Sequence, residues 1–329
     1  MKNIIVLLLI SLVGNGLAAR LRYEYYDVDN AEFHFKKFMK QFNKSYASGA
    51  EYQQRFEIFK HKLEQINGWN EVAKTSVYRI NQFADLTHEE VTQSFMGLKA
   101  NFTSGNVVQY VPSGTGPDKL DYREKNWVTP VKSQGLCGSC YVFSAIGEIE
   151  GQYAKKHNRL VSLSEQQGLD CDQESFGCGG GWPTNVMNAL AREGGSVGEN
   201  DYPYHEMKGQ CHTPSSKIIA RVQGGQQVQM NDEEQLKNHL AEHGPLAIAL
   251  DFSDSLVSYS GGIAEGFDCS SPQASHALVL IGYGTEGGVP YWIIKNSWSE
   301  MYGESGYLRL IRGQNKCLVL SYIATSSVA

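Results

Sequence analysis

The sequence predicts an α+β protein: a helical front piece, a linker, and a body that turns from helix-rich to strand-rich along its length. Three observations carry that prediction. Phe35, Phe38, Met39 and Phe42 recur at helical spacing, and a second helical stripe follows them. Residues 99–117 collect Gly, Pro and Ser, the composition of a connecting segment. Residues 246–250, 276–281, 291–295 and 307–311 are rich in branched and aromatic side chains and are separated by Gly-rich turns, the pattern of strands. A body made of a helical and a strand-rich subdomain has a cleft where the two meet.

In chain order, the first element is a targeting signal. Lys2 precedes an apolar run over residues 4–13, and Gly16-Leu17-Ala18-Ala19 follows with small residues. The run is too short to span a bilayer, so residues 1–18 read as a secretory signal peptide cut after Ala18 or Ala19. No later run is long enough to span, so no membrane segment is expected after signal removal. Passage into the secretory pathway leaves the lysosome and the extracellular space as destinations. The front piece then occupies residues 19–115. Its second helix carries Glu51, Arg55, Ile58, Phe59, Lys62, Ile66 and Asn70 along one stripe, with Glu51 and Arg55 as an i,i+4 ion pair. Residues 77–83 read as a short strand, and Thr87-His-Glu-Glu90 as a capping box opening a third helix. The linker is the kind of exposed segment where proteases nick chains. Asn43 and Asn101 are glycosylation sequons.

The body, residues 116–329, begins with a helical pattern over 139–153 that includes Phe143, Ile146 and Tyr153. Ser162-Leu-Ser-Glu165 reads as a second capping box, opening a helix toward Cys171. Gly177-Cys-Gly-Gly-Gly181 is too rich in glycine for a regular element and is expected as a loop with exposed backbone. All seven cysteines lie at or beyond Cys137. In an oxidising compartment they read as disulfides, and the odd count leaves at least one thiol outside them. Lys and Arg number 12 against 11 Asp and Glu in residues 20–115, and 16 against 24 in residues 116–329, a net +1 and a net −8. A body this acidic argues against nucleic acid as a partner.

The stretch Gln134-Gly-Leu-Cys137-Gly-Ser-Cys140 places Cys140 at the start of a helix, where the helix dipole favours a thiolate. A thiol nucleophile needs a base, a group to orient that base, and donors for the tetrahedral oxyanion. His276 starts an apolar strand and is the candidate base. Asn296 ends the following strand and is the candidate orienting amide. Gln134 and the backbone N–H of Cys140 are candidate oxyanion donors, and Trp298 is placed to cover the His–Asn contact.

Taken together and in this order, these stretches resemble papain-family (clan CA) cysteine peptidases of the cathepsin L-like group, made as a preproenzyme. The resemblance rests on Gln134-Gly-x-Cys-Gly-Ser-Cys140, Leu163-Ser-Glu-Gln166, Gly177-Cys-x-Gly-Gly181, His276-Ala and Asn296-Ser-Trp298 in the body. In the front piece it rests on Glu51, Arg55, Ile58, Phe59, Ile66 and Asn70, and on Asn81, Phe83 and Asp85, which resemble the two motifs of an inhibitory propeptide. It implies a papain-like fold with a helical left subdomain, an antiparallel β-barrel-like right subdomain and a cleft between. It further implies Cys140 as nucleophile, His276 as general base and acid, Asn296 as orienter, Gln134 as oxyanion donor, and a thioester intermediate. The family pairing of cysteines joins Cys137–Cys178, Cys171–Cys211 and Cys269–Cys317, leaving Cys140 free. Substrate would run along Gly138, Gly180, Gly181 and Trp298, with Trp182, Pro183, Ala249, Ala274 and Tyr322 lining the main specificity pocket. The implied activity is an endopeptidase that prefers a hydrophobic residue two before the scissile bond. Its partners would be protein or peptide substrates, its own propeptide and cystatin-like inhibitors. The expected state is a monomer with no metal and no cofactor.

Several positions depart from the family pattern. Tyr141 and Tyr302 stand where Trp is usual, Ser275 where Asp is usual, Gly179 where Asn is usual, and Ser299 where Gly is usual. In the propeptide, Lys62 and Arg79 replace Asn and Gly. Glu51 and Asp85 are the carboxylates expected to make the propeptide acid-sensitive. Three other readings compete. Cys137-Gly-Ser-Cys140 is also a redox or zinc pattern, but no second ligand pair accompanies it. His239 and His243 have metal-ligand spacing, but Leu240 stands where a zinc protease needs Glu, so a solvent-exposed helix is expected there. A non-catalytic binding or storage relative would be expected to lack Cys140, His276 or Asn296.

Overall fold

The computed structural model describes residues 23–98, 107–111 and 113–329. The expected signal peptide and the sequon at Asn101 lie outside these residues. Asn43 is exposed.

The front piece starts with α1 (Ala31–Gln41) and α2 (Gly49–Val72), whose apolar faces meet. Phe35, Phe38 and Phe59 are buried, and both rings of α1 lie within 5.1 Å of Phe59, centroid to centroid. A short strand, β1 (Ser76–Tyr78), and a helix, α3 (His88–Phe95), complete it. The expected strand over 77–83 stops at Tyr78. Asn81 turns the chain by accepting from the Phe83 N–H at 3.1 Å, while its amide donates to the Val257 carbonyl at 2.6 Å. Thr87 and Glu90 form the expected capping box at α3. The expected Glu51–Arg55 pair does not form. Glu51 instead accepts from the Ala47 N–H at 2.7 Å, and Arg55 reaches Glu90 at 2.6 Å and the Asp85 carbonyl at 3.2 Å. A guanidinium closing α2 onto α3 is bound from two directions, which an exposed i,i+4 partner cannot offer.

The linker is less open than its composition suggests. β2 (Val107–Gln109) pairs in parallel with a body strand. Beyond it, Tyr110 and Ser113 donate to Glu242, and the Gly116 N–H donates to Asn238. Main-chain pairing and these anchors hold residues 107–110 and 113–116 along the body.

The body opens with β3 (Leu120–Asp121) and the long helix α4 (Cys140–His157), followed by α5 (Glu165–Cys171) and α6 (Pro183–Arg192). The cap of α5 is Ser164, whose hydroxyl accepts from the Gln167 N–H, and not the expected Ser162. The Glu165 carboxylate that the box required is taken by Lys132 Nζ at 2.7 Å. β4 (Ser196–Val197) and β5 (Ile218–Ala220) form a small separate ladder. β6 (Val222–Gln229), α7 (Glu233–His243), β7 (Leu246–Leu250), α8 (Asp254–Val257), β8 (Tyr259–Ala264), β9 (His276–Glu286), β10 (Val289–Lys295), β11 (Tyr307–Ile311) and β12 (Ile323–Val328) follow.

These strands make one sheet in the order β1-β8-β11-β10-β9-β7-β12-β6-β2, mostly antiparallel, with β3 alongside β9. Its two outermost strands, β1 and β2, come from the front piece and the linker, so each sheet edge is covered by the segment preceding the body. The helical half packs around α4, and α4 lies against β9. That contact sets Cys140 beside the start of β9. The exposed helix expected around His239 is a correction. The His239 ring is buried between His243, at 5.2 Å, and linker Tyr110, at 4.6 Å. Burial holds its imidazole down at about 3, so it stays neutral.

Candidate active site

Cys140 is the first residue of α4, and its N–H is one of the donors a helix start leaves without an intrahelical partner. The preceding loop is held from three sides. Cys137 is bonded to Cys178, and the Gly138 N–H donates to the Cys178 carbonyl at 3.0 Å. The Gln134 N–H donates to the Ser297 carbonyl at 2.9 Å. Tyr204 donates to the Gln134 carbonyl at 2.9 Å. On α4 itself, Ser144 donates to the Leu278 carbonyl at 2.6 Å, pinning the helix to β9. The other two disulfides join Cys171–Cys211 and Cys269–Cys317, and Cys140 is the free cysteine.

His276 begins β9, and its Nε2 lies 2.9 Å from Asn296 Oδ1. The same oxygen accepts from the Ser297 N–H at 2.8 Å, which fixes the amide with its oxygen toward the ring. Nε2 therefore carries a proton, and Nδ1, which has no hydrogen-bond partner, is the nitrogen left to exchange one. Three aromatic rings enclose this pair. Trp298 lies over the imidazole at 4.7 Å, Phe252 meets its edge at 4.9 Å, and Tyr302 stands perpendicular to Trp298 at 5.4 Å. Tyr302 is fully buried and donates to the Leu256 carbonyl, so the departure from Trp keeps an aromatic ring in the wall. Tyr141 likewise reaches the Gly177 carbonyl at 3.1 Å and supports the glycine loop. The Ser275 hydroxyl accepts from the Phe252 N–H at 3.1 Å and brings no charge to the histidine.

The front piece fills this site. Residues 95–98, leading out of α3, cross directly over Cys140. The Gly97 N–H donates to Cys140 Sγ at 3.1 Å, and the Ala277 N–H approaches the same sulfur at 3.4 Å. The Gln134 side-chain amide donates to the Phe95 carbonyl at 2.9 Å and to the Cys137 carbonyl at 2.7 Å. Its own oxygen accepts from Ser297 Oγ at 2.6 Å. The Gly181 N–H donates to the Gly97 carbonyl at 2.7 Å, and the Leu98 N–H donates to the Ser275 carbonyl at 3.2 Å. Only glycine fits at 97, because a Cβ there would lie 1.6 Å from the Gly138 carbonyl oxygen. Gly180 has φ +109° and faces the Gly97 carbonyl, so it too must be glycine. Leu98 joins the apolar cluster that holds Trp182, Ala249 and Tyr322, with Ala274 at its margin. Trp182 and Tyr322 lie 4.7 Å apart, Tyr322 accepts from the Thr184 N–H, and Pro183 is buried as the first residue of α6. Phe83 of the front piece packs on Trp298 at 4.8 Å.

The electrostatics follow from this closure. Burial pushes the Cys140 thiol up to about 11, against the backbone N–H groups that favour the thiolate. Burial also pulls His276 down to about 4, against its bond to Asn296. Near neutral pH both groups are uncharged, and the helix dipole does not offset that burial. Phe252, Ser297, Phe95, Gly97 and Leu98 belong to the site although the sequence reading gave none of them a role there. Of these, only Ser297 stood inside a quoted motif.

Residues 116–327 match the papain family cysteine protease model, and residues 35–91 match the cathepsin propeptide inhibitor domain. The chain belongs to the papain family of cysteine proteases. It is 40% identical to the viral cathepsin of Heliothis zea nuclear polyhedrosis virus, over 92% of this chain and 87% of that protein. It is 39% identical to the viral cathepsin of Mamestra configurata nucleopolyhedrovirus, over 99% of this chain and 98% of that one. Among solved structures it is similar to digestive procathepsin L2 from Tenebrio molitor larval midgut. That match has a TM-score of 0.83 at 32% identity and covers 90% of this chain and 99% of that one. It is also similar to a recombinant stem bromelain precursor, with a TM-score of 0.80 at 30% identity, over 91% of this chain and 99% of that one. The chain is thus a cysteine-type peptidase carrying its own inhibitor domain, in the arrangement of an autoinhibited zymogen.

Proposed function

We propose that the protein enters the secretory pathway through a signal peptide at residues 1–18. It would be held latent by the propeptide of residues 19–115 and act as an endopeptidase once residues 116–329 are released. The observation that carries the catalytic assignment is the seat of residues 95–98. A backbone carbonyl rests on the Gln134 amide, a backbone N–H rests on Cys140 Sγ, and an apolar side chain enters the cluster beside Trp182. A peptide therefore fits this cleft against these groups.

In the open enzyme the Cys140 thiol gives its proton to His276 Nδ1, and the sulfur attacks the scissile carbonyl carbon. Negative charge gathers on the carbonyl oxygen, where the Gln134 side chain and the Cys140 N–H donate to it. The carbon–nitrogen bond breaks as His276 returns the proton to the leaving amine, leaving a thioester on Cys140. Water then attacks that thioester while His276 takes a proton from it. The carbon–sulfur bond breaks, the peptide acid departs, and the thiol is restored. Asn296 holds the imidazole plane throughout, and Gly138, Gly180, Gly181 and Trp298 flank the bound chain.

Leu98 beside Trp182, Ala249, Ala274 and Tyr322 supports a hydrophobic preference two residues before the scissile bond, with Pro183 behind the pocket wall. Partners of this reading are protein or peptide substrates and cystatin-like inhibitors. The released enzyme would be a monomer, working in the lysosome or outside the cell. Cys140→Ala in the full chain tests the assignment. The variant should fold, keep its propeptide and hydrolyse no peptide substrate. A Cys140→Ala protein that still cleaves would overturn it. Tyr322→Ala should broaden the preference in a peptide-library profile, and an unchanged profile would remove the pocket assignment.

A further inference from the structure

Main-chain hydrogen bonds join the propeptide to the body at several points, beside neutral side-chain contacts such as Phe83 on Trp298 and the Asn81 amide on the Val257 carbonyl. The Arg79 N–H donates to the Ser258 carbonyl, the Ile263 N–H donates to the Thr75 carbonyl, and β1 pairs with β8 through backbone alone. Residues 97 and 98 also dock through their amides. Such contacts carry no information about which side chains are present, so they cannot match one propeptide to one body. Charge can.

Among the described residues, the ion pairs that cross from the propeptide to the body all end on one carboxylate. Lys62 Nζ lies 2.9 Å from Asp254 Oδ1, and His88 Nδ1 lies 3.4 Å from the same oxygen. Lys62 sits on the buried stripe of α2, with 6% of its side chain exposed, and its ammonium lies 5.7 Å from the Trp69 ring centre. An ammonium this deep needs a partner. It occupies the stripe position where the family motif carries a neutral Asn, so this chain has placed a charge where an amide is usual. Asp254 opens α8, and the segment from α8 to β8 receives Asn81, Arg79 and β1. The two basic side chains thus read the one acidic side chain at the centre of the docking ledge.

We propose that the Lys62–Asp254 pair, supported by His88, is the specificity-determining contact by which this propeptide recognises its own body and keeps the cleft closed. The proposal goes beyond the catalytic assignment and does not depend on it. It concerns the hold on the propeptide, not the chemistry beneath.

The test is the rate at which a thiol-alkylating reagent labels Cys140 in the full-length, unprocessed protein at neutral pH. Labelling requires the propeptide to lift but requires no peptidase activity, so a failed latch and a mistaken mechanism give different results. Lys62→Met leaves Asp254 with His88 alone, sets an apolar side chain against its carboxylate and should speed labelling by roughly tenfold or more, since breaking one side of a largely buried pair costs more than losing both. The double variant Lys62→Met/Asp254→Leu should return to near the parental rate, and Lys62→Arg should stay near it. If Lys62→Met does not accumulate folded, Asp254→Asn removes the pair from the other side and is read in the same assay with the same expectation. Parental labelling in the single variants overturns the proposal. So does a double variant that labels as fast as Lys62→Met.

Discussion

Two short segments meet at the sulfur of Cys140, and they are held by different means. The body's segment, 134–140, is fixed by a disulfide, by hydrogen bonds to the Ser297 and Cys178 carbonyls, and by α4 packed on β9. The propeptide's segment, 95–98, has no covalent tie to the cleft. It is held by four hydrogen bonds through its backbone, by one leucine side chain, and by glycine's lack of a Cβ. The contacts that fix the body's segment are made by the body itself, as a preorganised site requires. The propeptide's segment can leave because nothing holding it outlasts local unfolding. Stability and release are thus assigned to different parts of one chain.

The comparison breaks most readily at Gly97. A methyl group there would overlap the Gly138 carbonyl, so Gly97→Ala must displace residues 95–98 while leaving the body intact. Overpacking costs about 1–3 kcal/mol, which corresponds to about a five- to 150-fold loss of cleft occupancy. Unprocessed Gly97→Ala protein should hydrolyse a small peptide substrate at neutral pH faster by about that factor. Parental latency would mean that residues 95–98 do not close the site.

A smaller effect is expected at Glu90, which sharpens the role of acid. The Arg55 guanidinium and the Thr87 N–H hold its carboxyl below the usual range. A depressed folded pKa means that the stabilisation is present above the unfolded pKa of about 4.3 and is lost as pH falls through the lower, folded value. The pair is partly exposed, so it contributes about 0.2–1 kcal/mol. Glu90→Gln should therefore raise the pH at which processing begins only slightly, by a few tenths of a unit, in a timed processing series. A large shift would give this pair a larger share of the hold than its exposure allows.

Much of the candidate site could be read in the sequence because its groups lie in short motifs whose chemistry is local. Cys140 and His276 begin elements that the hydrophobic pattern marks out, and it is the order of these motifs and their resemblance to a known family that joins them into one site. What escaped was long-range. Arg55 has a plausible partner four residues away in Glu51 but finds Glu90, 35 positions on, because tertiary packing places two acceptors there. Ser162 has the spacing of a cap, yet Glu165 is drawn to Lys132 and the cap passes to Ser164. His239 has the look of a surface residue until linker Tyr110 lies over it. Phe252 encloses His276 from a segment with no motif. In each case a local preference of about 1 kcal/mol or less yields to contacts that the fold supplies.

The central claim is that residues 95–98 bury Cys140 and keep it a thiol. The most direct measurement is the pH dependence of iodoacetamide alkylation of Cys140 in the zymogen and in the processed enzyme. With the thiol held up near 11 and His276 held neutral, the zymogen should label slowly at pH 7, and its rate should climb only as pH approaches 10 or above. Removing the propeptide exposes both groups and restores the helix-start and imidazole contributions, so the processed enzyme should label rapidly below pH 7. Equal rates at pH 7 in the two forms, with parallel pH profiles, would contradict the account.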